Sequence, residues 1–142
     1  RYASGNIPPA SSLYSKRFGI NIMKSPQEPL IYIGHILESI VAVRKYIRGL
    51  SKSNFLKSNE KQDAVVRRIE IIGEAVKNLP SVLKQAYPEI PWRKMAGMRD
   101  IVVHEYFGVN LFHVWETAHV DLPKLERAIK KVLTALKKNS LE

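Results

Sequence analysis

The stretch Met98–Tyr106, MRDIVVHEY, carries the side chains whose types and spacing could do chemistry. Arg99 is followed by four residues and then His104, and Tyr106 lies two further on. Histidine titrates near neutrality and can take or give a proton. Arginine stays charged and clamps phosphate with a planar fork. A carboxylate such as Asp100 beside a histidine orients the ring and raises its pKa. Together these groups suit cleavage of a phosphodiester by attack of an RNA 2′-hydroxyl. His104 would act as general acid or base, and Arg99 would stabilise charge on the phosphate. That chemistry requires no metal.

The element that must position them is a helix between Pro91 and Gly108. Proline suits the first turn, where its missing N–H costs nothing. Glycine suits a helix C-terminus, where a left-handed residue is often needed. On a wheel of about 100° per residue, Met95, Met98, Val102 and Tyr106 form one stripe. Asp100 and His104 lie about 40° apart on roughly the opposite side, and Arg99 about 140° from His104. Asp100 and His104 can therefore touch, but an ideal helix does not set Arg99 beside His104. Three routes could bring them together: the reach of Arg99, distortion near the helix end, or a second copy of the chain. An arginine and a histidine on a charged helix also arise with no catalytic part, so the spacing alone leaves both readings open.

The run Pro91-Trp92-Arg93-Lys94-Met95-Ala96-Gly97-Met98-Arg99-Asp100-Ile101-Val102-Val103-His104-Glu105-Tyr106-Phe107-Gly108-Val109-Asn110 resembles the signature block of the HepT family of HEPN-domain toxins. That signature is R-x4-H-x-Y, matched at Arg99, His104 and Tyr106. Two further blocks agree: Arg68–Val76 (RIEIIGEAV), and Trp115-Glu116 followed by Asp121-Leu122-Pro123. The resemblance covers about residues 26–138. It implies an all-helical, dimeric ribonuclease that cleaves RNA without metal or cofactor. It assigns catalysis to Arg99 and His104 and a supporting polar role to Asp100. It implies a partner, a small nucleotidyltransferase-domain antitoxin of the MntA type, and makes Tyr106 the hydroxyl that this antitoxin adenylylates to silence the RNase. The alternative is a non-catalytic helical module that docks the nucleotidyltransferase, with Tyr106 only a contact residue.

The composition of 142 residues bounds the rest: one domain by length, with 45% apolar and 25% charged residues, ordinary for a globular chain. There is no cysteine, which removes disulfides, thiol nucleophiles and cysteine metal sites and fits a reducing compartment, the expected one being the cytoplasm. Of the net charge of +10, +3 falls in residues 1–22 through Arg1, Lys16 and Arg17, and +7 in the remainder. The excess favours a polyanion, RNA above all, although solubility alone also accounts for it. No apolar run approaches the roughly 20 residues of a membrane span, and no leader pattern opens the chain.

Residues 1–22 read as an irregular segment, punctuated by Pro8-Pro9, Ser11-Ser12 and Gly19. Met23 is the expected native start, and Leu141-Glu142 is expected to be a cloning remnant. The alternative is a native basic arm. Residues 23–142 are expected to form a single helical domain. From Pro29, Leu30, Ile33, Leu37, Ile40, Val41 and Ile47 recur at helical spacing, until Gly49 and Ser51–Asn54 end the helix. A second helix starts at Ser58-Asn59, with Asn59 and Gln62 in capping-box spacing. Its apolar face is Ala64, Val65, Ile69, Ile72, Val76 and Leu79. Gly73 inside it costs about 1 kcal/mol against alanine, which suggests close approach of another helix. Glu70 and Glu74 are expected to form a solvated or salt-bridged face with Arg67, Arg68 and Lys77, rather than a metal pair. Ser81–Tyr87 makes a short turn of helix before Pro88, and Trp92 packs in the core or at an interface.

After Gly108, Asn110 is expected to cap a further helix along Leu111, Val114, Trp115 and Ala118. Asp121 is expected to cap a fresh one, with Pro123 in its first turn, running along Leu125, Ile129, Val132, Leu133 and Leu136. His35 reads as structural, and His113 and His119, six apart, lack the spacing of a helical metal pair. The whole predicts an all-α antiparallel bundle of four to five helices, HEPN-like.

Overall fold

The structure is a computed structural model. It describes residues 27–107 and 110–140, except for the side chains of residues 27, 101–107 and 140. The expectations for residues 1–22, Met23, Gly108 and Leu141-Glu142 lie outside the described residues. No strand occurs among the described residues, and no helix there is long and apolar enough to cross a membrane. The protein is all-α.

Helix α1 (Gln27–Tyr46) buries Ile33, Ile36, Ile40 and Val43 at three- and four-residue spacing, with Ile47 just beyond its end. The turn that follows holds Gly49, whose φ of 71° lies in the left-handed region that glycine enters without penalty. The serines that follow lie past the end of α1, as expected. They open a short helix, α2 (Lys52–Leu56), where Ser51 Oγ accepts a hydrogen bond from the Asn54 N–H at 3.0 Å. The physical reason is one anchor. Phe55 is fully buried and tilted against Trp115, ring centroids 5.3 Å apart. A buried phenylalanine is worth about 3 kcal/mol or more, enough to hold five residues whose own propensity would not.

Helix α3 (Asn59–Lys77) differs from the expected capping box at its start. Ser58 is the cap and accepts from the Lys61 N–H at 3.2 Å. Gln62 is buried instead, its amide donating to the Phe55 carbonyl at 3.0 Å and so tying α3 to α2. The predicted face is otherwise present: Val65, Ile69, Ile72 and Val76 are wholly buried, and Leu79 is nearly so. After α4 (Ser81–Ala86), Trp92 sits in the core. Its Nε1–H donates to the carbonyls of Lys84 and Tyr87 at 3.1 and 3.0 Å, which pins the connector to α5 (Trp92–Phe107). Met95 and Met98 of α5 are buried, as the stripe required.

The last part of the fold also departs from expectation. Asn110 makes no side-chain cap, and Asp121 does not begin a new helix. Helix α6 (Leu111–Glu116) runs through a π turn (Thr117–Asp121) straight into α7 (Leu122–Ser140). The Leu122 N–H donates to the Thr117 carbonyl five residues back. Pro123 explains the widening. Its ring cannot pass the carbonyl four residues earlier in a regular helix, and a π turn is the usual way a helix absorbs such a misfit. Across the molecule α3 packs between α5 and α1, and α1 packs on α7. α1 and α3 run antiparallel, so Arg68 of α3 reaches Ser39 and Tyr46 of α1.

Candidate functional site

The site is built where α5 lies against α3, and the closeness of that contact is set by Gly73. A Cβ at Gly73 would come within 2.6 Å of the Arg99 Cβ and 3.3 Å of the Ala96 carbonyl. Only glycine allows this approach, which is the close helix contact the sequence suggested. The Arg99 Cβ is fixed to its backbone, so the seat sets where the Arg99 side chain begins.

Two carboxylates receive that side chain. Arg99 Nη1 donates a long hydrogen bond to Asp100 Oδ1 at 3.4 Å, and Arg99 Nε lies 3.8 Å from Glu74 Oε2. Asp100 Oδ1 is in turn 4.0 Å from Lys77 Nζ. The side chains of Arg99 and Asp100 are 40% and 67% exposed, so solvent and a phosphate can reach both. Ion pairs this exposed are worth about 0–1 kcal/mol. An incoming phosphodiester can therefore replace a carboxylate on Arg99 at little cost.

His104 and Tyr106 lie on the α5 backbone, but their side chains fall outside the described residues. Of the remaining candidates, Glu70 pairs with Arg67 at 3.8 Å. Glu74 turns from its neighbours on α3 to Arg99. Exposed His35 lines a groove between α1 and α3. His119 stacks on Trp115, centroids 4.8 Å apart and 12° from parallel, and His113 is exposed on α6. Sequence reasoning missed Glu74 and Lys77 as partners of the signature. They stand more than twenty residues upstream, and the one local pointer to them was Gly73, beside Glu74.

The all-helical fold, with Arg99 displayed on an open helix flanked by α3, is that of the HEPN class of domains. Residues 36–132 match the family described as ribonuclease HepT-like, and the chain belongs to that family. Among its relatives is a Methanocaldococcus jannaschii protein whose name joins a gamma-glutamylcyclotransferase to an RNase assigned by inference. The two are 49% identical over 109 residues, 77% of this chain and 49% of the relative, so the chain spans about half that protein's length. An RNase, also assigned by inference, from Caldanaerobacter subterraneus subsp. tengcongensis is 42% identical over 78% of this chain and 96% of its own. A probable ribonuclease HepT from Thermococcus cleftensis is 43% identical over 71% of this chain and 92% of its own. No solved structure matches the chain.

Proposed function

We propose that the protein is the endoribonuclease toxin of a toxin–antitoxin pair and cleaves RNA without metal. The observation that carries this reading is Arg99, exposed on α5 within a complete R-x4-H-x-Y set and seated by Gly73. His104 takes the proton of the RNA 2′-hydroxyl. The oxygen then attacks the adjacent phosphorus, and as the P–O5′ bond breaks the 5′-oxygen takes the proton back from the His104 imidazolium, giving a 2′,3′-cyclic phosphate and a 5′-hydroxyl end. Arg99 faces the phosphate oxygens and stabilises their growing charge. Asp100 orients the set. A second copy of the chain supplies the opposite wall of the cleft, as a twofold dimer brings two Met98–Tyr106 stretches together. An MntA-type nucleotidyltransferase adenylylates Tyr106, and the added nucleotide blocks the phosphate by bulk and charge. The family membership supports the ribonuclease part of this reading.

The test is cleavage of a mixed small-RNA pool in EDTA by wild type and by His104→Ala prepared identically. Cleavage by wild type alone is expected. Equal cleavage by both proteins would remove His104 from the mechanism. No cleavage by a folded wild type with unmodified Tyr106 would leave a helical module that docks the nucleotidyltransferase.

A further inference from the structure

Beside Arg99 the surface opens into a groove of about 210 Å³ between α1 and α3. Its walls differ in chemistry. α1 contributes two ring side chains, Tyr32 and His35, while α3 contributes the carboxylates of Glu70 and Glu74, the guanidinium of Arg67 paired with Glu70 at 3.8 Å, the amide of Asn78, and Ile71 and Ala75 as an apolar strip. Glu70 and Glu74 are four apart and share one face of α3. Glu74 borders both the groove and Arg99, its Oε2 lying 3.8 Å from Arg99 Nε.

With two carboxylates against the one guanidinium of Arg67, which Glu70 faces, this lining is net acidic and suits a nucleobase better than a phosphate. Two carboxylates oppose an anion, but they accept hydrogen bonds from amino groups on base edges. Rings and an apolar strip receive the flat faces of an unstacked base, the usual mode of single-strand RNA recognition. The anion-binding group, Arg99, stands across Glu74 from the groove. A nucleotide laid over Glu74 can thus place its phosphate on Arg99 and its base against Tyr32 and His35. We propose that this groove is a nucleobase subsite for unpaired RNA, preferring bases with an exocyclic amino group to uracil. The proposal rests on the ribonuclease reading for the role of Arg99, but not for binding in the groove.

The experiment is amide NMR of His104→Ala protein titrated with the dinucleotides ApA, CpC and UpU. Shifts centred on Tyr32, His35, Ile71 and Ala75 are expected, with ApA and CpC binding more tightly than UpU. Tyr32→Ala and the milder Glu70→Gln, each first shown to be folded, should weaken ApA binding about tenfold and about threefold. In the active protein they should raise KM more than they lower kcat. Shifts absent from the groove, or affinities unchanged in both variants, would overturn the subsite even if the wild type cleaves RNA. Groove binding by a wild type that cleaves nothing would keep the subsite and overturn the ribonuclease reading.

Discussion

Arg99 ends in a guanidinium that two carboxylates share and neither holds firmly. Glu74 lies 3.8 Å away and Asp100 3.4 Å, both well exposed. Water screens such contacts to about 1 kcal/mol or less each. They pre-orient the side chain without committing its charge, which is what a phosphate-binding arginine needs. Tyr106 belongs to the same scale, two residues beyond His104. With an active nucleotidyltransferase partner and ATP, intact-mass analysis should show one adenylyl group on the wild type and none on Tyr106→Phe. RNA cleavage should fall in step with the modification. An unmodified wild type in that mixture would remove Tyr106 as the switch.

At the scale of the element, the α3–α5 contact makes Gly73 the most informative position. Gly73→Ala gains about 1 kcal/mol of helix propensity. It also forces a methyl group against the Arg99 Cβ, an atom that cannot swing aside, and overpacking of this kind costs about 1–3 kcal/mol. The steric term should win. We expect a lower Tm and a larger loss of RNA cleavage than of stability, because Arg99 moves with α5. A higher Tm with full activity would show that α5 yields freely. On the opposite side of the bundle, Arg44 of α1 holds Glu126 of α7 with two hydrogen bonds of 3.1 and 3.2 Å. That contact, helped by Lys130, holds the Glu126 carboxyl below its ordinary value. A carboxyl depressed in the folded state adds stability at neutral pH and loses it as pH falls through the acid range. Arg44→Met should therefore cost no more than about 1 kcal/mol at pH 7. Urea unfolding near pH 3 should show the difference almost gone. A gap that persists there would mean that packing of the arginine stem, not the ion pair, carried it.

At the scale of the whole molecule, the proposed cleft needs two copies of the chain. Arg99→Ala and His104→Ala homodimers should each be inactive. Unfolded, mixed and refolded together, they should recover activity, up to about a quarter of the wild-type level if half the dimers are mixed and one of two composite clefts is intact. No recovery, with mixed dimers confirmed by mass, would place both residues of each site in one subunit. The same molecular view separates what was legible in the sequence from what was not. The long helices, the buried face of α3, the α5 stripe at Met95 and Met98, and the signature itself follow from hydrophobic period and from proline and glycine punctuation, whereas α1 buries Ile36 and Val43 in place of the expected Leu37 and Val41. Those signals act within a few turns of one chain segment, so the sequence by itself determined them. Other features answer to partners remote in the chain. Phe55 orders α2 because Trp115 is there to receive it, and Gln62 abandons its cap for a carbonyl of α2. The π turn shows the same limit in a local signal, since Asp121 and Pro123 read as a helix start, whereas α6, packed on α5, and α7, packed on α1, continue as one rod. Glu74 and Lys77 join Arg99 and Asp100 only because Gly73 lets two helices meet. Tertiary structure alone decided these, since a contact's free energy depends on what the rest of the fold brings to the other side.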